Sequence, residues 1–329
     1  MAHPFADPRI PRILLVKTSS LGDVLHNLPV ASDIVRHYPG AQIDWVVEEN
    51  FAALPKLHPA VRNVIPVAVR RWRGELLNAA TWREIATFRG TLGAHRYDIA
   101  IDTQGLLKSA LLMKCARGLR CGFDRHSARE PLAAGLYQQT FAVATGQHAV
   151  ERNRQLAAQA LGYAPENRPD YGVKPPAIAH PAWLQDGRYM VLLHATSRAD
   201  KLWDEANWIA LGRFLHEKNI RCVLPWGNEA EQARSMRFAV AIPGAIAPPR
   251  LSLNEAASLL AGAQAVVGVD TGLAHLAVAL GIFTVGIYTA TDPALTGLYA
   301  GTNIANLGGI NRAPDVAAVT GALQQGAAC

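Results

Sequence analysis

The stretch RILLVKTSSLGDVLHNLPVASDIVRHYPG, residues 12–40, decides the fold. Its first six residues are a short apolar run that ends in polar residues and reads as a buried strand. Val24, Leu28, Ala31 and Val35 then recur at helical spacing until Tyr38-Pro39-Gly40 stops the pattern. A strand that turns within a few residues into an amphipathic helix opens a βα unit, and the unit repeats. Residues 42–47 and 61–69 read as strands, 81–95 as a helix, 97–102 (YDIAID) as a strand and 106–117 as a helix. A stretch with Pro165, Pro169, Pro175, Pro176 and Pro181 reads as a linker. The alternation then restarts, with strands over 188–194, 220–225 and 265–269 and helices over 205–218, 229–240 and 253–261. A closing helix is expected over 314–325. Two α/β halves with parallel sheets are therefore expected. Ligands of such sheets bind at the carboxyl ends of the strands, which places a site in the cleft between two halves.

Length and composition agree. A chain of 329 residues makes about two domains at roughly 100–200 residues each. Half of its residues are hydrophobic and 18% charged, which excludes a disordered or fibrous protein. Cys115, Cys121, Cys222 and Cys329 contain no C-x-x-C pair, so a reducing compartment fits better than a disulfide framework or a zinc cluster. The opening Met1-Ala2-His3-Pro4-Phe5 has no basic region followed by an apolar core, so no signal peptide is read there. Residues 273–290 are apolar enough to suggest a membrane span, but Gly281 and Gly286 divide them. A short buried helix over 273–280 and a buried strand over 282–288 is the better reading. A soluble, cytosolic protein is expected.

The charge is uneven. Residues 1–176 carry 22 Lys/Arg against 15 Asp/Glu, a surplus of seven, whereas residues 177–329 carry 10 against 11. A surplus confined to one half suggests that this half meets an anion. Nucleic acid, anionic lipid and a phosphorylated sugar all qualify, and so does a merely solvated basic face.

The familiar phosphate and hydrolase fingerprints are missing. The chain has no G-x-G-x-x-G, complete P-loop, H-E-x-x-H or G-x-S-x-G, and no D-x-D pair to hold a metal on a diphosphate. Three loops after strands carry the candidate chemistry. In the first, Lys17-Thr18-Ser19-Ser20-Leu21-Gly22-Asp23, Asp23 is either a first-turn acid offsetting the helix dipole or a general base. In the second, Asp270-Thr271-Gly272-Leu273-Ala274-His275, the residues are either helix caps and a core histidine or a diphosphate cradle of backbone N–H groups. The third, His194 to Trp203, joins Thr196, Ser197, Arg198 and Lys201 as a solvated loop or an anion site. Pro225-Trp226-Gly227 with Glu231, Asp102-Thr103-Gln104-Gly105 and the basic Arg70-Arg71-Trp72-Arg73 follow other strands.

Taken in order, these segments resemble glycosyltransferase family 9, the ADP-heptose:lipopolysaccharide heptosyltransferases. The resemblance runs from about residue 12 to residue 318. It rests on KTSSLGDVLHNLP (17–29), DWVVEE (44–49), VIPVAVRRWR (64–73), DTQGLLKSA (102–110), SAREPLA (127–133), QHAVERNRQL (147–156), HATSRADKLW (194–203), LPWG (224–227), VDTGLAHL (269–276) and TDP (291–293). Its first loop is closer to the members that add the first heptose of the inner core than to those that add the second. Residues 288–291, Tyr-Thr-Ala-Thr, depart from the Gly-Pro or Gly-Ser that the family often places there.

The resemblance implies a GT-B fold: an acceptor domain over 1–175, a nucleotide-sugar domain over 176–312, and a helix over 313–329 that packs back on the first domain. It implies ADP-L-glycero-D-manno-heptose as donor and Kdo2-lipid A as acceptor, at the anionic cytoplasmic face of the inner membrane. No cofactor, metal or nucleic acid is expected. Carried over, Asp23 is the catalytic base. Thr196, Ser197, Lys201, Glu231, Asp270, Thr271, Gly272 and His275 contact the donor. Ser20, Gly22, Arg70, Arg71, Arg73, Gln104 and Arg129 face the acceptor. A GT-B sugar-nucleotide epimerase is the rival enzyme. A basic nucleic-acid-binding module is the rival of another class, although only Trp72 interleaves with the arginines.

Overall fold

The computed structural model describes residues 11–178, 181–184, 186–299 and 301–327; the first five residues and Cys329 lie outside them. The chain divides into two compact units between Val173 and Lys174.

In the first unit, β1 (Arg12–Val16), β2 (Gln42–Glu48), β3 (Val61–Val67), β4 (Arg96–Asp102), β5 (Arg117–Phe123) and β6 (Gln139–Phe141) form one sheet in the order β3-β2-β1-β4-β5-β6. Every pairing is parallel. Parallel strands covered on both faces must be apolar throughout, which is why β1 reads as an unbroken run and Ile13 to Val16 are fully buried. One buried charge within the sheet is Asp44 on β2. Its carboxylate accepts hydrogen bonds from Asn63 Nδ2 at 2.8 Å and the Tyr97 hydroxyl at 2.9 Å, and lies 3.3 Å from Arg12 Nη2. The expected helix over 106–117 is shorter, Leu107–Met113, because the chain turns at Lys114 and enters β5. Gly118 at the start of β5 has φ +147°, and a Cβ there would lie 2.3 Å from the Tyr97 carbonyl oxygen.

The second unit holds β7 (Tyr189–Leu193), β8 (Arg221–Val223), β9 (Ala265–Val269), β10 (Thr284–Tyr288) and β11 (Ile304–Gly308), in the order β11-β10-β9-β7-β8. These pairings are parallel too. The apolar stretch 273–290 resolves into the buried helix Gly272–Ala279 and β10. Among the described residues no helix is long and apolar enough to cross a membrane.

The last helix, Val316–Gly326, has Val319 and Leu323 fully buried in a second-unit core with Trp208, Leu211, Val285 and Ile287. Its far end approaches Phe283, and Gln264 Nε2 donates to the Ala327 carbonyl at 2.9 Å.

Candidate active site

Parallel strands put all their carboxyl ends on one edge of a sheet, and the candidate residues of each unit gather on that edge. In the first unit the chain leaves β1 through Lys17, Thr18, Ser19 and Ser20 and enters the helix Leu21–Leu25. Ser20 is the N-cap and Asp23 the third helical residue. Asp23 Oδ2 accepts the Ser20 N–H at 2.8 Å, satisfying one of the donors that a helix start leaves over. Oδ1 makes no hydrogen bond among the described residues, and the side chain is 21% exposed. The cap reading and the base reading of Asp23 are thus compatible: one oxygen holds the helix start and the other is open. Arg129 Nη1 lies 3.6 Å from Oδ2.

Beneath this loop the groups are buried and paired. Gln104 Oε1 accepts the N–H of Thr18 at 3.0 Å and of Ser19 at 3.2 Å, so Gln104 ties the loop that carries Asp23 to the end of β4. Asp102 supports Gln104 in turn, accepting the N–H of Gln104 and Gly105, the Ser109 hydroxyl at 2.7 Å and the Tyr137 hydroxyl at 2.8 Å. Burial raises the Asp102 pKa, against those hydrogen bonds. Lys17 Nζ donates to the Thr103 carbonyl at 2.8 Å and lies 3.4 Å from Asn153 Oδ1. Burial lowers the Lys17 pKa to about 8, with the Asp23 charge opposing. Gly22 sits in the first turn of the helix.

The arginine cluster forms a short helix, Val69–Gly74, beyond β3. Its members are not equivalent. Arg71 pairs with Glu49 at 3.1 Å and Glu84 at 3.0 Å and so is engaged within the protein. Arg70 and Arg73 are exposed and their guanidinium groups form no ion pair among the described residues, while the Arg70 backbone N–H donates to Glu48 Oε1 at 3.0 Å.

In the second unit Asp270, after β9, is the hub. Its Oδ2 accepts Lys201 Nζ at 2.6 Å and the Thr291 hydroxyl at 2.9 Å, and its carbonyl accepts the Thr196 hydroxyl at 2.9 Å. His275 Nε2 lies 4.0 Å from Oδ1. Thr271 is the N-cap of the helix Gly272–Ala279, whose first N–H groups, on Gly272 and Leu273, have no intrahelical acceptor. Ser197 is exposed on the same loop as Lys201. Glu231, beyond β8, is committed to its own loop: Oε2 accepts the Gly227 N–H and Oε1 the Asn228 amide, both at 2.7 Å. The departure at 288–291 has a local function, because the Thr289 hydroxyl donates to the Asp200 carbonyl at 2.8 Å. Among the described residues no group of three or more His, Cys, Asp or Glu could hold a metal ion.

Each unit therefore presents a carboxylate hub at its carboxyl edge, one with an open oxygen and one holding a lysine beside a helix start. The sequence profile of glycosyltransferase family 9 (heptosyltransferase) matches residues 85–323. The chain belongs to glycosyltransferase family 9. The family 9 relative of Pseudomonas aeruginosa named lipopolysaccharide heptosyltransferase 1 is 48% identical over 295 residues, 89% of this chain and 82% of that protein. Its namesake in Escherichia coli K12 is 46% identical over 290 residues, 88% and 91% of the two chains. The solved structure of the E. coli heptosyltransferase WaaC with ADP has a TM-score of 0.89 at 42% identity, over 96% of this chain and 100% of that one. This family 9 glycosyltransferase is thus a GT-B protein. A UDP-N-acetylglucosamine 2-epimerase reaches a TM-score of 0.52 at 10% identity, over 96% of this chain and 88% of that one, and shares the fold alone.

Two supporting groups escaped sequence reasoning. Asp102 and Thr291 stood inside quoted motifs, but a lone buried acid and a lone hydroxyl carry no spacing signal. Only the fold shows that they meet Gln104 and Asp270.

Proposed function

We propose that this glycosyltransferase moves L-glycero-D-manno-heptose from ADP-heptose to the Kdo of Kdo2-lipid A, at the cytoplasmic face of the inner membrane. The observation that carries the reading is the Asp23 carboxylate, held at a helix start through one oxygen and open at the other. Support comes from the relatives named lipopolysaccharide heptosyltransferase 1. It comes also from a WaaC structure with ADP-2-deoxy-2-fluoro heptose, which has a TM-score of 0.85 at 41% identity, over 95% of this chain and 99% of that one.

The transfer is a single displacement with inversion. The acceptor oxygen bonds to the anomeric carbon as the bond from that carbon to the diphosphate oxygen breaks. The electron pair leaves with ADP, and the acceptor proton passes to Asp23. Negative charge developing on the diphosphate meets the Lys201 ammonium and the N–H groups at the start of the helix Gly272–Ala279. Asp270 acts on the donor by aiming Lys201 and Thr291 rather than by facing the phosphates with its own charge. On the acceptor side, Arg70, Arg73 and Arg129 suit Kdo carboxylates and lipid A phosphates.

The test is ADP release from ADP-heptose with and without Kdo2-lipid A. Release that depends on the acceptor and survives EDTA is expected. Release without acceptor, or interconversion of sugar epimers, favours the epimerase and overturns the reading. The assignment of partners to units has its own kinetic signature. Lys201→Ala raises the donor KM more than the acceptor KM, while Arg70→Ala with Arg73→Ala does the reverse. The effect of the arginine pair shrinks with salt, since exposed charges are screened over about 8–10 Å at physiological ionic strength. An arginine pair that shifted only the donor KM would reverse the assignment.

A further inference from the structure

The turn between the helices Val69–Gly74 and Ala79–Gly93 carries an apolar tip that the chemistry above does not use. Leu77 is fully exposed, Leu76 is 53% exposed and Trp82 56%. Trp82 is not loose: its indole N–H donates to the Leu76 carbonyl at 2.8 Å, which lays the ring against the turn. The base of the tip is rigid. Trp72 is buried against Phe88 with its N–H on Glu84, and Arg71 bridges Glu49 and Glu84. Ordering three large apolar side chains in water has no local return, so the tip needs an occupant.

The surrounding charge selects that occupant. Arg70, Arg73 and Arg83 are exposed and their guanidinium groups form no ion pair among the described residues, although the Arg70 guanidinium lies over the Phe51 ring at 6.0 Å and its backbone N–H donates to Glu48. Glu75 is the one acid of the turn itself, since Glu84 is taken by Arg71. Leucines and a tryptophan in a segment with three exposed arginines in no ion pair match the boundary of an anionic bilayer, where the apolar groups enter the acyl region and the guanidinium groups meet phosphates. The topology adds a second argument. The tip follows β3, so it lies beyond the same carboxyl edge as the loop after β1 that carries Asp23. Two strand spacings separate β3 from β1, on the order of 10 Å.

We propose that Leu76, Leu77 and Trp82 form a wedge that seats the first unit on an anionic lipid bilayer, together with Arg70, Arg73 and Arg83 of the same segment. This rests on the reading of a membrane-borne acceptor, and it assigns the bilayer contact to a specific surface. A bilayer contact at this edge brings Asp23 to sugar carried just above the headgroups.

The experiment is flotation of the full chain with vesicles of phosphatidylcholine containing phosphatidylglycerol and free of any Kdo-bearing lipid. Wild type is expected to float, and less so in pure phosphatidylcholine. Leu76→Ser with Leu77→Ser should weaken partitioning by about tenfold or more, from the loss of two leucines buried in the bilayer. Arg83→Gln should weaken it several-fold, with a smaller response to salt than wild type. Tm should not move, because the replaced side chains are exposed. Turnover of a deacylated, water-soluble acceptor by the leucine variant should stay at the wild-type level. Vesicle binding does not depend on heptose transfer, so failure of the functional reading shows in the ADP assay alone. Wild type that does not float, or a leucine variant that floats as wild type does, overturns the proposal and leaves the tip to a protein partner.

Discussion

At the scale of single residues, Asp23 is the sharpest case, because Asn separates its two functions. An amide oxygen still accepts the Ser20 N–H, so Asp23→Asn keeps the helix start while losing the base. Turnover should fall by roughly 10²–10⁴-fold, with the affinity for ADP-heptose unchanged in a direct binding measurement. Near-normal turnover would leave Asp23 as a helix cap and nothing more. Spacing alone left these two functions as alternatives, and the geometry lets one carboxylate serve both. Gln104 shows the opposite limit. It was legible as part of a polar loop after a strand, and the resemblance carried it over as an acceptor contact, yet its carbonyl is occupied by the Thr18 and Ser19 amides. A side chain that reaches back to a neighbouring loop leaves no trace in its own sequence surroundings. Lys201 and Asp270 are 69 positions apart, and only the shared edge of β7 and β9 makes them a pair.

At the scale of elements, the strands read most easily were those buried on both faces. β1 beyond Arg12, β7 and β9 are continuous apolar runs with clear ends, since sequence periodicity reports burial. The strands missed are β5, β6 and β11. β5 contains two arginines and two glycines, β6 has three residues, and β11 is a half-exposed edge strand. The helix Ala149–Leu161 was recognised only as a motif, because its buried face includes Asn153 and Arg154. Arg154 is fully buried. It holds Asp33 through two bonds of 2.7 and 3.1 Å, Glu151 at 3.0 Å and the Glu166 carbonyl at 2.7 Å. This pair joins the helices Leu28–His37 and Ala149–Leu161. Arg154→Met strands a buried Asp33 carboxylate, and should cost about 3–5 kcal/mol in urea unfolding. Adding Asp33→Leu should recover most of that loss, since it removes the uncompensated charge. A double variant no better than the single one would show that the pair holds the helices by geometry that apolar packing does not replace.

At the scale of the whole molecule, each unit contains a buried histidine whose pKa burial lowers, and together His58 and His194 set an acid limit on stability. In the first unit, His58 Nδ1 accepts the Ala60 N–H at 3.1 Å, so Nε2 carries the proton and faces the Ser32 hydroxyl at 2.9 Å. In the second, His194 Nε2 lies 2.9 Å from the Ser235 hydroxyl, which itself donates to the Leu224 carbonyl, so Nε2 again carries the proton. Burial lowers both pKa values to about 4; Asp170 opposes this at His58, whereas Arg234 adds to it at His194. The unfolded chain takes up protons near pH 6.5 and the folded units only near pH 4, so the unfolded state binds more protons between these values. Stability is complete above about pH 6.5 and falls as the pH drops toward 4. At about pH 5 each histidine accounts for a loss of roughly 2 kcal/mol. Hydrogen exchange of the slowest amides in β1 and β7 should show this loss separately in the two units. His194→Gln keeps a donor toward Ser235 and cannot titrate, so it should flatten the pH dependence of β7 amides while that of β1 amides persists. A variant whose β7 amides still lost protection between about pH 6.5 and 5 would place the acid-sensitive group elsewhere in the second unit.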